Sequence, residues 1–375
     1  MHDIILVASN KPEFAVTLCQ TGCVADWLEG SELAISTKDR EGKVLIIVVV
    51  VLILAGLAGL LIWPRLRPRH EFHYNKGVIH LRSGNTEEAI KNLKKAIAKK
   101  PDFKEARLAL VRTYGNTRQF AEAEQEVDEA VRAGVDEAEA ALLKAGLHSM
   151  RADYRLQSAG DALDIGLCES VIQEDIRPAI TIVQEHAGDA QAPASAYTRL
   201  GDLYMKKSRV LLQKWQLLRE AQDLAVDLNQ AEEAEARKAE ALEVLPAVGE
   251  AQQDGIRAYG RAIQLDEALA APRLKLAEQA LNAFVPRPDR ARSVLSPLIE
   301  QDEHHRQARL LMAQAERLEG DFDKALEHVQ AAAPVGDEKE KTEDQALLLA
   351  EAQILVEAER WEEAAPLTDK LIELQ

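Results

Sequence analysis

The stretch HEFHYNKGVIHLRSGNTEEAIKNLKKAIAKKP, His70 to Pro101, decides the fold. Gly84 and Asn85 suit a turn between two helices, Thr86 offers a cap, and Glu87 and Glu88 place carboxylates at the positive end of the second helix. The next stretch, DFKEARLALVRTYGNTRQFAEAEQEVDEAVRAGV, repeats the design: Ala89 and Ala96 recur as Ala123 and Ala130, each 34 residues on, and His80 is matched by Tyr114 at the same offset. A fixed period of this length predicts stacked units, each two short antiparallel helices. The small residues carry the physical reason, because helices of one hairpin approach to about 8 to 10 Å only where side chains lack bulk.

At these residues the chain resembles the tetratricopeptide repeat, which places small residues in its first helix and at two points of its second, then a closing proline. Gly77, Ala89, Ala96 and Pro101 stand at that spacing, and the second unit offers Leu110, Tyr114, Phe120, Ala123 and Ala130. Two positions depart from the pattern: Lys76 stands where leucine is usual, and Val135 where the proline falls. The pattern returns near the C-terminus, where Ala313, Phe322 and Ala325 are echoed 39 residues later by Ala352, Trp361 and Ala364, the extra residues fitting a loop from Pro334 to Thr342. Between these ends, Leu200, Gly201 and Tyr204 mark a first helix and Tyr259 with Ala262 its second, while Leu276, Ala277 and Ala291 mark another hairpin.

The expectation is therefore an all-α solenoid of about seven helix-turn-helix units. Two regular units occupy 70–137, a degenerate unit with an insertion 138–193, a unit with a long helical insertion 194–269, and three further units 270–375. Arg151 to Ile176 interrupts the third unit and Lys214 to Gln252 the fourth. The second interruption has apolar residues at helical spacing among many charges, which predicts a long amphipathic helix or a helical hairpin. It is read either as an extension packed on the array's own face or as a docking arm.

Composition agrees with a helical array and narrows its partners. The 375 residues hold only 4% aromatics, and the net charge is -17. Residues 1–43 carry 4 Lys/Arg against 7 Asp/Glu, which the arginines at 65, 67 and 69 offset, so the helical region holds essentially all of the excess. Such a surface repels phosphate backbones, and no nucleic acid is expected. Cys19, Cys23 and Cys168 are too few for a disulfide framework and lack the paired spacing of a structural zinc site.

Ahead of the array, VLIIVVVVLILAGLAGLLIW, Val44 to Trp63, holds no charge and is about one hydrocarbon thickness long as a helix. It follows a polar tail, 1–43, too long for a signal peptide, and precedes a basic linker, 64–69, so it is read as a retained transmembrane anchor binding the lipid bilayer. Flanking charges favour a cytoplasmic array slightly, whereas bacterial single-span proteins with large C-terminal domains more often keep the N-terminus inside. The balance predicts a bacterial inner-membrane protein with a periplasmic array, the cytoplasmic alternative staying open. Ala55 and Gly59 form a small-xxx-small pair, so self-association is considered through the span as well as through the C-terminal end, where no polar capping helix follows.

No phosphate-cradling loop, HExxH, GxSxG or paired CxxC is present, and no enzyme, cofactor or metal is expected. His70, His73 and His80 lack a completing carboxylate or cysteine, and the adjacent His304 and His305 diverge on a helix. The resemblance implies instead that protein or peptide segments bind in a groove lined by first helices. Its positions here are Tyr74, Val78, Arg82, Leu108 and Arg112, then Thr198, Asp202 and Lys206. Among membrane-anchored relatives the arrangement looks like bacterial proteins of envelope and polysaccharide assembly. The function expected is a membrane-anchored scaffold that supports assembly of a membrane or cell-envelope complex. The alternatives are a holding chaperone for translocated or unfolded clients, and a regulatory subunit of a membrane enzyme.

Overall fold

The computed structural model describes residues 69–187, 193–333 and 344–374. Contacts divide the chain into two units, 1–69 and 70–375, and the second is the array. Its first two hairpins pair α1 (Arg69–Arg82) with α2 (Thr86–Lys99), and α3 (Lys104–Asn116) with α4 (Phe120–Arg132). Next, α5 (Glu137–Ala159) pairs with α6 (Ile165–Val171), which runs through a π turn, Ile172–Ile176, into α7 (Arg177–Ala187). The fourth hairpin is α8 (Ala194–Asp227) with α9 (Ala231–Leu265). The last three pair α10 (Ala270–Leu281) with α11 (Pro288–Gln301), α12 (Arg306–Glu319) with α13 (Phe322–Ala331), and α14 (Gln345–Glu357) with α15 (Trp361–Glu373). Among the described residues there is no strand.

One turn recurs between first and second helices. Gly84, Arg118, Asn229, Gly320 and Glu359 all take left-handed backbone, with φ of 74°, 64°, 54°, 82° and 58°. The N–H of the following residue then donates back across the turn, from Asn85 to the His80 carbonyl at 2.9 Å and from Arg360 to the Leu355 carbonyl at 2.9 Å. This is the hydrogen-bonding pattern that satisfies the last carbonyls of a helix and reverses the chain. The cap that follows in the first unit is Asn85, whose side chain accepts from the Glu88 N–H, so the cap belongs one residue before Thr86.

The small residues sit where helices meet. Ala89, Ala96, Ala123, Ala130 and Ala325 are fully buried, as nearly is Ala364, and Gly77 lets Leu93 approach so closely that a β-carbon would fall 3.0 Å from Leu93 Cγ. Tyr114 is buried in the same core as Leu93, Leu110 and Val127. Pro101 departs from the packing role: it lies exposed just after α2, with its carbonyl accepting from Arg107 Nε at 2.9 Å. A proline lacks the N–H a helix needs, so its part is to end α2.

The two interruptions take the form of lengthened helices. Residues 214–252 are the outer halves of α8 and α9, which run unbroken for 34 and 35 residues, about 50 Å each. In the third unit, 151–176 lengthens both helices, and the π turn brings Asp175 to zero exposure beneath Arg151 and Arg155. One hydrophobic core unites these long hairpins, with Cys168, Val171 and Ile176 packed together with Leu203, Val210 and Leu218.

No helix among the described residues is long and apolar enough to cross a membrane. The expected anchor at 44–63 lies outside the described residues, as do the tail 1–43 with Cys19 and Cys23, Ala55 and Gly59, the linker up to residue 68, and the loop 334–343.

Candidate functional site

The first helices of the fourth and fifth hairpins enclose a depression of about 430 Å³. Asp202, Met205, Lys206, Arg209 and Leu212 of α8 form one wall, and Lys275, Glu278 and Gln279 of α10, with Asn282 capping its C-terminal end, the other. Gln252 and Tyr259 of α9 close the back. The α8 residues recur at three- and four-residue steps, which keeps them on one face.

Close packing beneath the depression fixes its polar groups. Gly201 leaves the Tyr259 ring room to lie against α8, and the Tyr259 hydroxyl donates to Asp202 at 2.8 Å. Burial, followed by the neighbouring Asp202 charge, pushes the Tyr259 hydroxyl well above its usual range, so it stays a donor. Lys206 is held from the third unit: its Nζ donates to the Ser149 carbonyl at 2.9 Å, to Ser149 Oγ at 2.6 Å and to Asp153 at 2.6 Å. Lys275 pairs with Glu278 at 3.0 Å, and Arg209 stands exposed beside them.

The lining therefore offers cations, carboxylates and the amides of Gln252, Gln279 and Asn282, each amide able to donate and accept. Such a mixture matches an extended backbone, whose N–H and C=O groups both need partners, together with charged side chains of either sign.

Of the groove positions read from sequence, Asp202 and Lys206 meet in this depression. Thr198 sits lower on α8 and bonds back to the Ala194 carbonyl at 3.0 Å. Tyr74 and Leu108 are half-buried against the core of the first two hairpins, Tyr74 with its ring edge-on to Phe103 at 5.2 Å. Val78 is half-buried on α1, and Arg82 and Arg112 are exposed on α1 and α3. Sequence reasoning missed Arg209, Leu212, Lys275, Glu278, Gln279 and Asn282. Arg209 lies seven residues after Asp202 and was within reach of the same helical spacing. The α10 residues required knowing where the fifth hairpin begins.

Residues 80–147 and 285–340 each match a model of the tetratricopeptide repeat. No curated protein sequence matches the chain. Solved structures similar to it include a tetratricopeptide repeat protein from Parabacteroides merdae, 13% identical, with a TM-score of 0.42 over 82% of this chain and 93% of that one. Pseudomonas aeruginosa pilF is 14% identical, with a TM-score of 0.34 over 82% and 91%. YrrB, described as a tetratricopeptide protein with an unusual peptide-binding site, is 15% identical, with a TM-score of 0.30 over 64% and 90%.

Proposed function

We propose, from the premise that this chain carries tetratricopeptide repeats and so is a scaffold for protein–protein contact, that it holds an extended segment of a partner protein in the depression between α8 and α10. One observation carries the reading: charged and amide side chains from two successive first helices converge on a single recess, where Tyr259 of the same hairpin holds Asp202 and Asp153 of the third unit holds Lys206. Groups fixed before binding lose little conformational freedom when a partner arrives, which is how a shallow polar recess retains affinity.

The apolar run 44–63 supplies the second half of the proposal. It would fix the array at a bacterial inner membrane, facing the periplasm, where recruitment to a surface raises the effective concentration of a partner without any new contact. In that position the scaffold supports assembly of a membrane or envelope complex.

Detergent extraction and affinity isolation of the full chain test the reading. A stoichiometric partner should co-purify, and the double substitution Arg209→Glu with Lys275→Glu should release it. A clean monomer, or a partner that ignores both changes, would count against the groove. Capture of many apolar peptides with little discrimination would point to a holding chaperone instead. Protease added to intact spheroplasts reads orientation separately, since protection of the array would place it in the cytoplasm.

A further inference from the structure

We propose that the outer half of the α8–α9 hairpin is a docking arm for a basic amphipathic helix of a partner protein. Its first support is a row of apolar side chains that outlasts its cover. Val210, Leu217 and Leu224 recur at seven-residue steps along α8 and so share one face. Val210 is 1% exposed, Leu217 is half-buried against the core shared with the third hairpin, and Leu224 is 60% exposed, with Leu228 at the tip at 58%. The third hairpin covers this face about as far as Lys214, whose Nζ reaches Glu169 of α6 at 2.7 Å. Beyond Leu217 the helix runs on over about ten further residues, about 15 Å, along which Leu224 and Leu228 stand exposed.

Charge decides the occupant. From Arg219 to Glu243 the arm carries eight acidic side chains against three basic ones. The basic ones are already engaged: Arg237 with Glu233 at 2.8 Å, Lys238 with Glu235 at 3.2 Å, and Arg219 with Gln222 at 2.7 Å. Among the described residues, no basic side chain pairs with Glu220, Asp223, Asp227, Glu232 or Glu243. A second copy of the chain would bring the same excess of negative charge against this one, and an anionic bilayer or a nucleic acid would be repelled in the same way. A helix with a leucine-type stripe flanked by lysine or arginine satisfies both the exposed leucines and the carboxylates around them. The surface is separate from the groove between α8 and α10, so either can fail without the other.

The test uses the full chain in phosphatidylcholine nanodiscs, with empty discs as reference. The probe is a fluorescent peptide of leucine and lysine, about 18 residues or five helical turns, patterned with leucines at helical spacing. Binding should weaken by about tenfold or more in the double variant Leu224→Asp with Leu228→Asp, and should fall as salt rises. Glu220→Lys with Glu232→Lys, which leaves the leucines untouched, should weaken it as well, while circular dichroism shows both variants folded. Equal binding of the matching leucine–glutamate peptide would overturn the proposal, as would variants that bind like the parent chain. So would leucine variants whose only change is loss of a concentration-dependent dimer, or loss of adhesion to phosphatidylglycerol vesicles.

Discussion

The backbone of Gly201 lies so close to the ring of Tyr259 that a β-carbon there would fall 2.5 Å from both Cδ1 and Cε1. Tyr259 is almost wholly buried and its hydroxyl is tied to Asp202, so the ring has little freedom to retreat. Gly201→Ala should therefore destabilise the array by about 1 to 3 kcal/mol, the usual range for overpacking. Gly255→Ala is the internal control. Its β-carbon would meet the tip of Met205, 2.8 Å away, which is flexible and can swing aside, and would stand 3.3 Å from the Gly201 carbonyl oxygen, a milder clash than the Tyr259 ring gives, so the loss should be smaller. Urea unfolding followed by circular dichroism compares the two, and equal midpoints would contradict the account.

Asp175 is fully buried in the π turn, where it pairs with Arg151 and, at 2.8 Å, with Arg155. Arg151 reaches on to Glu124 of α4 at 3.0 Å, so the carboxylate helps to tie the second hairpin to the third. Asp175→Ala removes the buried acceptor that the two guanidinium groups share, leaving Arg151 with Glu124 and Arg155 with Glu174. About 2 kcal/mol or more of stability should be lost, at the low end for a broken buried pair because both arginines are partly solvated. Asp175→Asn, which keeps the volume and some of the hydrogen bonding, should retain part of it. Thermal unfolding of both variants reads the difference.

The repeat was legible because its small residues are constrained by contact: Ala89, Ala123 and Ala325 are fully buried between the helices, and their spacing is plain in the sequence. Helix length was not legible in the same way. A 34-residue period makes 214–252 look inserted, yet the stretch carries no stop signal before Leu228 and Asn229, so α8 simply continues. The groove was half legible for a related reason. Asp202 and Lys206 follow from Gly201, whose role declares the face, whereas Lys275, Gln279 and Asn282 carry no such marker and become neighbours only through the stacking of α10 on the fourth hairpin. Tyr74 and Leu108 read as lining from their first-helix positions, and the structure gives each a second role, half-buried against the core of the first two hairpins.

Acid should loosen the array in a window set by two histidines. Burial, then the charge of Arg151, lowers the pKa of His148, and burial with Arg309 does the same for His328. A histidine held neutral by the fold binds fewer protons than it does unfolded, so stability rises with pH. The contribution is complete above the ordinary value of 6.5 and is lost as pH falls below it. Glu351, raised by burial, acts with the opposite sign nearer the carboxylate range. Melting temperatures measured between about pH 7.5 and 5.5 should decline, and His148→Gln with His328→Gln should flatten the slope. An unchanged slope would show that other groups set it.

The recurring turn yields the last prediction, because the same left-handed position is filled by glycine in some hairpins and not in others. Gly320 has φ of 82° and Glu359, its counterpart one hairpin later, has φ of 58°. A β-carbon is strained in that region by about 1 to 2 kcal/mol, whereas glycine is not. Glu359 is exposed, so replacing it removes little besides the strain. Glu359→Gly should stabilise the array by up to about 1 kcal/mol, since glycine also frees the unfolded chain, and Gly320→Ala should destabilise it by a similar amount. Arg118 offers the harder case: it too is left-handed, at φ 64°, yet its guanidinium lies 4.5 Å from the centre of the Tyr154 ring. There Arg118→Gly exchanges relief of strain for a lost cation–π contact, worth about 0.5 to 1 kcal/mol at an exposed site. Its net effect should fall below that of Glu359→Gly. Denaturant midpoints for the three variants place them in order, and a larger gain at Arg118 than at Glu359 would break the argument.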